Sequence, residues 1–284
     1  MSTTETTHIA MPPVVSRAGW LAARKKLLAK EKELTRQMDQ VNADRRRLPM
    51  IRIDKNYRFE GPRGWATLLE LFESRRQLIV YHFMFDPNDP PPGKSGHPWE
   101  DGCTGCSFVA DSLPTLSALS HLHSRDTSLV LVSRAPQKKI QPFQSRMGWD
   151  IPWFSSFGSD FNYDFHVTID EAVAPVEYNY TTKADLEKKG ESWHMKGEQP
   201  GMSIFLRADD DTIYHTYSTY GRGLERLLVT YQLLDLTPYG RQEQWEDSPA
   251  GWPKPVTSIG GFKHHDKYDA SGGSCCCQNG KGES

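Results

Sequence analysis

The sequence predicts an α/β chain, a central mixed sheet flanked by helices, and three observations carry that prediction. Gln77 to Phe85 is a near-continuous run of β-forming residues, the pattern of a strand buried on both faces. Val109, Leu113, Leu116, Leu119 and Leu122 then recur at helical spacing with Ser, Thr and Asp between them, and Pro114 is expected to kink that helix. Ser128 to Ser133 reads as a second buried strand. Strand, helix and strand in this order imply a right-handed parallel crossover, the core of a thioredoxin-like sheet.

Between the first strand and the helix lies Asp101-Gly-Cys-Thr-Gly-Cys-Ser107. Two cysteines separated by two residues at a helix start sit one turn apart on nearly the same face, so a disulfide needs no backbone movement. Partial positive charge and unpaired N–H groups at the helix start lower a thiol pKa from about 8.5 into a range of roughly 3.5–7.5. Cys103, at the open end, is then the expected nucleophile and Cys106, one turn inside, the expected resolving thiol. Structural zinc and two inert thiols are the other readings. Zinc needs a second ligand pair, and no other CxxC or HxxxH occurs in the chain.

Composition narrows the classes. With 284 residues the chain is long enough for one elaborated domain, and 37% hydrophobic with 25% charged residues fits a globular protein. A net charge of −2 argues against nucleic acid as a partner. No window approaches 18 apolar residues and no apolar signal core opens the chain, so neither a membrane partner nor secretion is expected. Five cysteines in this length make no disulfide scaffold. The expected location is cytoplasmic, where a CxxC is more often catalytic than structural.

Taken from its first residue, the chain opens with a polar, proline-bearing stretch over 1–14 that reads as disordered. Within the segment 15–50, a long helix is predicted from Ser16 to about Arg47, with Trp20, Leu27, Leu34 and Val41 seven apart and Leu28 and Met38 widening the stripe. Packing along its own domain and a homodimer arm are the two uses of such a stripe. Arg45-Arg-Arg47 closes the helix, where cations oppose the negative end of its dipole. A thioredoxin-like domain is expected over 51–240. It begins with an edge strand from Ile51 to Phe59, then a short helix marked by Trp65, Leu68, Leu69 and Phe72. The loop 86–100 is longer than a thioredoxin requires and is expected to shape access to Cys103, with His97 and Trp99 as neighbours; plain packing is the other reading of Trp99. Ile140, Phe143 and Met147 suggest a short helix disturbed by Pro142, while Trp149 to Phe165 takes no regular assignment. Residues 170–199 read as a polar insertion. Gly201–Arg207 and Thr212–Tyr217 form a predicted hairpin, and Leu224, Leu227, Leu228, Tyr231 and Leu234 one face of a last helix. An irregular extension follows over 241–269, and a Gly/Ser-rich tail over 270–284 with Cys275, Cys276 and Cys277 reads as flexible, a swinging resolving thiol, soft-metal capture and palmitoylation being the other readings.

Tyr81-His-Phe-Met-Phe85, Gly102-Cys-Thr-Gly-Cys-Ser107, Val132-Ser-Arg-Ala-Pro136, Arg146-Met-Gly-Trp149, Ser155-Ser-Phe-Gly-Ser-Asp-Phe-Asn162, His215-Thr-Tyr-Ser-Thr-Tyr220, Tyr231-Gln-Leu-Leu-Asp-Leu-Thr-Pro238 and His264-His-Asp-Lys-Tyr268 resemble, in order, the signature blocks of the DUF899 family. The resemblance runs from about Val15 to Tyr268 and implies a thioredoxin fold with Cys103 and Cys106 as the redox pair. Thioredoxins present a cis-proline to the CxxC at the start of the hairpin strand; here the nearest proline is Pro200, three residues before Ser203. Met202 and Ser203 are therefore expected on the pocket side. The buried acid that assists the inner cysteine of thioredoxins has no obvious match. His82 and His215 are the substitutes as proton carriers, since imidazole titrates near neutral pH; satisfied core histidines are the other reading. Trp99, Thr104, Met202, Ser203 and Arg134 are the expected substrate-binding residues.

The function these readings favour is a thiol:disulfide oxidoreductase that needs no cofactor and no metal, with a protein or small-molecule thiol or disulfide as substrate. A thiol peroxidase is the alternative enzyme, although a peroxidatic cysteine follows a Thr or Ser by three residues and a Pro by seven, where Cys106 has Cys103 and Trp99 and Cys103 has Glu100 and Gly96. A non-catalytic copper protein, with His264 or His265 joining Cys103, Cys106 and His82, is the alternative from another class.

Overall fold

The computed structural model describes residues 10–88, 101–255 and 262–268. The chain opens on α1 (Arg17–Arg45), capped by the Ser16 hydroxyl, which accepts the Gly19 N–H at 3.2 Å. There follow β1 (Ile51–Arg52), β2 (Arg58–Gly61), β3 (Gly64–Thr67), β4 (Gln77–His82), α2 (Thr104–Ser112), α3 (Leu116–His123), β5 (Thr127–Ser133), α4 (Gln137–Arg146), β6 (Trp153–Ser155) and α5 (Phe161–Asp164). The rest comprises β7 (Thr168–Ile169), β8 (Glu177–Tyr178), β9 (Thr181–Thr182), α6 (Lys183–Lys189), β10 (Gly197–Glu198), β11 (Gly201–Arg207), β12 (Ile213–Tyr220) and α7 (Val229–Leu234).

Eight strands form one sheet in the order β1-β12-β11-β4-β5-β6-β2-β3. β4 and β5 are parallel, with Tyr81 opposite Leu131, and the α2–α3 crossover joins them. β11 runs antiparallel to β4 and β12 antiparallel to β11. The run β12-β11-β4-β5, with a CxxC at the start of the crossover helix, is the thioredoxin-like core. β4 lies at its centre because its residues are apolar on both faces.

Period-two alternation divides the core. Leu78, Val80, Val130, Val132 and Phe205 pack on one face with Phe161 and Phe165. Tyr81, Leu131 and Met202 pack on the other with Cys106, Val109, Phe143 and Trp153. Each such fully buried side chain contributes roughly 1.5–3 kcal/mol through removal from water.

Several elements differ from the sequence expectation. The predicted edge strand is interrupted at Asp54-Lys-Asn56, three residues poor at forming strands, which separate β1 from β2. Trp65 belongs to a strand, because Gly61-Pro-Arg-Gly64 turns β2 into β3 with Gly64 at φ 111°, a conformation open to glycine alone among these residues. Pro114 ends the helix instead of kinking it: Leu113 is extended at ψ 156°, as a residue before proline prefers, and α3 starts afresh. The last helix is split at Leu228, with a 3₁₀ segment Gly221–Leu227 before α7. Two glycines in that segment weaken α-helix, while Leu224, Leu228 and Tyr231 keep their shared buried face. Residues 149–165, left unassigned from sequence, contain β6 and α5. None of the residues of α1 is buried.

Candidate redox site

The site is assembled where β4 ends. Gly102 lies against two rings: a Cβ there would overlap Phe83 and stand 2.9 Å from Phe143, so only glycine lets the chain pass. Cys103 is the N-cap of α2, and its carbonyl accepts both the N–H of Ser107 at 2.9 Å and the Ser107 hydroxyl at 2.8 Å. Met84 grips both cysteines through its backbone. Its carbonyl accepts the Cys103 N–H at 3.1 Å, and its N–H donates to the Cys106 sulfur at 3.3 Å. Both thiols are free; Cys103 is half-buried and Cys106 buried.

The two sulfurs are pulled in opposite directions. A hydrogen bond with the Cys106 side chain, aided by the N–H groups of Cys106 and Gly105, lowers the Cys103 pKa to about 6. Burial pushes Cys106 well above the usual thiol range, and the neighbouring Cys103 adds to it. Tyr81 and the Met84 N–H oppose that rise. The Tyr81 hydroxyl is fully buried beside the Cys106 sulfur, close enough for each to shift the other's titration, and has no oxygen or nitrogen partner among the described residues.

Two hollows meet at Cys103. One is a mainly apolar cavity of about 440 Å³, walled by Tyr81, Met84, Cys103, Thr104, Cys106 and Val109 from the central motif and by Leu224, Leu228 and Tyr231 from the far helix. Trp193, His194 and Pro200 close it from the segment before β11, and Glu243 and Trp245 from the segment after α7. The other is a more polar hollow of about 730 Å³ that includes Asp86, Asp101, Cys103, Thr104, Glu198, His264 and Lys267. Glu198 accepts from Arg134 at 3.1 Å and from the Thr168 hydroxyl at 2.8 Å. Burial raises its carboxyl to about 7, against the lowering pull of Arg134. Residues 262–268 clasp the start of α2: the His264 ring bonds the Gly102 carbonyl at 2.9 Å, and Phe262 stacks on Phe108 with centroids 3.9 Å apart.

Of the residues singled out from sequence, the structure brings Cys103, Cys106 and Thr104 to the cavity, with Met202 buried in the same apolar cluster as Cys106. His82, His215 and Ser203 are not brought to the sulfurs. Strand alternation turns His82 and Ser203 to the opposite face of the sheet from Tyr81 and Met202, where the His82 ring lies beside Phe161 and Phe165. There a chain of bonds runs from His82 to Ser203 at 2.8 Å, on to Ser218 at 2.8 Å, and to His215 at 2.7 Å. Burial, with His215 nearby, drives His82 down to about 3, and burial also lowers His215. His82 is thus a neutral core imidazole and His215 a half-buried one, both on the face away from the sulfurs, and the expected pocket residue Ser203 is a member of their network. Arg134 reaches Glu198 and stacks on Tyr163, so it serves the acid and not a sulfur directly. The alternative copper set is not assembled, since His82 is across the sheet, His264 is engaged with Gly102 and His265 with Asp111. Trp99 and His97, with most of the 86–100 loop, lie outside the described residues, as do Cys275, Cys276 and Cys277 and residues 1–9.

Sequence reading missed Glu198 as the acid near the dithiol, because it sits in a polar stretch among other charged residues. It also missed the cavity walls given by Trp193, Glu243 and Trp245. Tyr81 stands in an apolar strand where nothing in the sequence sets it apart from its neighbours.

No curated protein matches the chain. Among solved structures, a PrxQ mutant from Xylella fastidiosa is 14% identical, covering 65% of this chain and 94% of its own, with a TM-score of 0.36. A peroxiredoxin Q mutant from Xanthomonas campestris is 14% identical over 66% of this chain and 98% of its own, with a TM-score of 0.36. Peroxidoxin BcpB from Mycobacterium tuberculosis is 12% identical over 66% and 97%, with a TM-score of 0.32. At scores of this size the fold assignment rests on the strand order given above. Residues 9–268 match the family described as bacterial protein of unknown function (DUF899), and the chain belongs to that family.

Proposed function

We propose that this protein is a thiol:disulfide oxidoreductase in which Cys103 attacks and Cys106 resolves. The observation that carries the reading is the opposed state of two sulfurs at one helix start, an ionisable Cys103 at a cavity wall and a buried, protonated Cys106 behind it. The Cys103 thiolate attacks one sulfur of a disulfide, forming a mixed disulfide and releasing the first half as thiolate. Cys106 loses its proton and attacks the Cys103 sulfur, which closes the internal disulfide and releases the second half. Glu198, sharing the polar hollow with Cys103, is the group we assign to proton traffic. An external dithiol resets the pair, and a reducing compartment such as the cytoplasm suits that step. No helix among the described residues is long and apolar enough to cross a membrane.

The test is mass spectrometry of the alkylated protein across a series of dithiothreitol redox buffers. A reversible Cys103–Cys106 disulfide with a potential near about −270 mV supports exchange. A Cys103 sulfenate trapped after peroxide, with no disulfide turnover, replaces the reading with a peroxidase; stoichiometric bound copper or zinc replaces it with a metal protein.

For α1 the partner we propose is a second copy of the chain. Trp20, Leu27, Leu34 and Val41 are 54, 52, 61 and 51% exposed at a spacing of seven, the pattern by which two like helices pack together.

A further inference from the structure

We infer that the apolar cavity beside the sulfurs takes a small, uncharged organic disulfide with aromatic or branched hydrocarbon ends, rather than a peptide or a charged disulfide. This deepens the redox reading above and rests on it. The cavity, at about 440 Å³, is toward the lower end of the volumes that hold small molecules, roughly 300–1,000 Å³. Val109, Leu224, Leu228 and Tyr231 give it a hydrocarbon wall, each almost wholly buried.

Charged groups on that wall are already engaged. Glu243 accepts from the Tyr231 hydroxyl with one oxygen and from the Trp245 indole with the other. Glu225 takes Arg222 at 2.8 Å and Arg241 at 3.1 Å. A disulfide bearing carboxylates or ammonium groups would have to compete with these pairs to be matched in the buried part of the cavity, since the Arg222 side chain is 73% exposed to solvent. A peptide fares no better, because the carbonyl of Pro200, where the chain enters β11, is held by the Tyr178 hydroxyl at 2.8 Å and proline has no N–H to offer.

The Tyr81 hydroxyl, fully buried on the cavity wall, has the Cys106 sulfur as its polar neighbour and no oxygen or nitrogen partner among the described residues. A thiol is a weak partner for a buried hydroxyl, which is costly to leave poorly matched unless something in the cavity completes it. A bound disulfide sulfur or departing thiolate is an acceptor at that place. Trp193 and Trp245 also line the cavity at 59 and 53% exposure; His194 lies against one indole and Arg222 over the other, and their exposed remainder can cover a hydrocarbon body.

The chemistry balances. With RSSR, the Cys103 thiolate forms Cys103–S–S–R and releases RS⁻; Cys106 then attacks the Cys103 sulfur and releases the second RS⁻. Two electrons pass from the dithiol to RSSR, the Cys106 proton goes to a departing thiolate, and the Cys103–Cys106 disulfide is reduced by an added dithiol.

The test compares three probes on the full chain: dibenzyl disulfide, glutathione disulfide, and 1,4-diphenylbutane, which replaces the two sulfurs of dibenzyl disulfide by CH₂ groups. The expected result is saturable quenching of tryptophan fluorescence by 1,4-diphenylbutane and a kcat/KM for dibenzyl disulfide about tenfold or more above that for glutathione disulfide. Val109→Phe, which fills the cavity, should abolish the quenching and lower the dibenzyl disulfide rate by about tenfold while the Cys103–Cys106 disulfide still forms; Leu224→Phe stands in if that variant misfolds. Equal or faster reduction of glutathione disulfide overturns the substrate class and leaves the redox reading intact. Binding of 1,4-diphenylbutane with no reduction of either disulfide overturns the redox reading, while absence of binding overturns the cavity assignment.

Discussion

The backbone N–H of Met84 donates to the Cys106 sulfur at 3.3 Å, while the carbonyl of Met84 holds the Cys103 N–H at 3.1 Å. One peptide segment at the end of β4 thereby fixes the spacing of both thiols and supplies a donor to the inner one as it ionises. Because the donor is backbone, side-chain exchange at position 84 leaves it in place.

Alkylation of Cys103 should accordingly follow a single ionisation near pH 6, with Cys106 unreactive at neutral pH. The largest cause of the Cys103 shift is its hydrogen bond with the Cys106 side chain, so Cys106→Ala should move the midpoint up toward about 8.5 and slow alkylation at pH 7 by roughly tenfold. Stopped-flow alkylation across pH 4–10 measures both. A midpoint that stays near 6 in the variant would transfer the credit to the helix start alone.

Gly102→Ala should unseat the motif. Its Cβ would overlap the Phe83 ring and lie 2.9 Å from Phe143, and neither ring has room to retreat, since both are packed with Trp153. A loss of about 1–3 kcal/mol is expected, read in urea unfolding, together with a changed Cys103 midpoint. Gly105→Ala is the control, because its Cβ meets only the Cys103 sulfur at 3.7 Å, an ordinary contact.

Glu198 binds a proton more tightly in the folded chain, at about 7, than in the unfolded one, at 4.5. A raised folded pKa stabilises fully below 4.5, and that contribution is lost as pH rises through 7. Between these limits the loss is on the order of 3 kcal/mol. Glu198→Gln should flatten this decline in unfolding experiments from pH 4.5 to 7.5 and remove an ionisation near 7 from the pH profile of disulfide reduction. A variant with an unchanged rate profile but a flattened stability curve would leave Glu198 a structural acid.

The central βαβ core was legible because its signals are local: apolar runs of strand length, a helical period, and a CxxC between them. The same locality explains the errors. Tyr81 and His82 are adjacent, so one of them had to face away from the dithiol, but which one depends on the tertiary placement of α2. Trp193 and Trp245 reach the cavity from segments without hydrophobic periodicity, and no local pattern says where such segments pack. Pro114 was recognised as a disturbance; that it ends α2 follows from Leu113 being forced out of the helical region.

At 29 residues α1 spans about 44 Å, and none of its residues is buried. Its links to the body are peripheral: Arg45 lies over the Tyr217 ring at 4.8 Å, and Arg226 reaches the Met38 sulfur at 2.8 Å. An apolar stripe on a helix this loosely held is stabilised by a like helix, which buries residues seven apart against their copies. Leu27→Glu with Leu34→Glu would set like charges across that seam. Sedimentation velocity should show the parent chain as a dimer and the double variant as a monomer, with the Cys103 midpoint near 6 in both, since the sulfurs are formed within one chain. A parent chain that sediments as a monomer at micromolar concentration would leave the stripe for another partner.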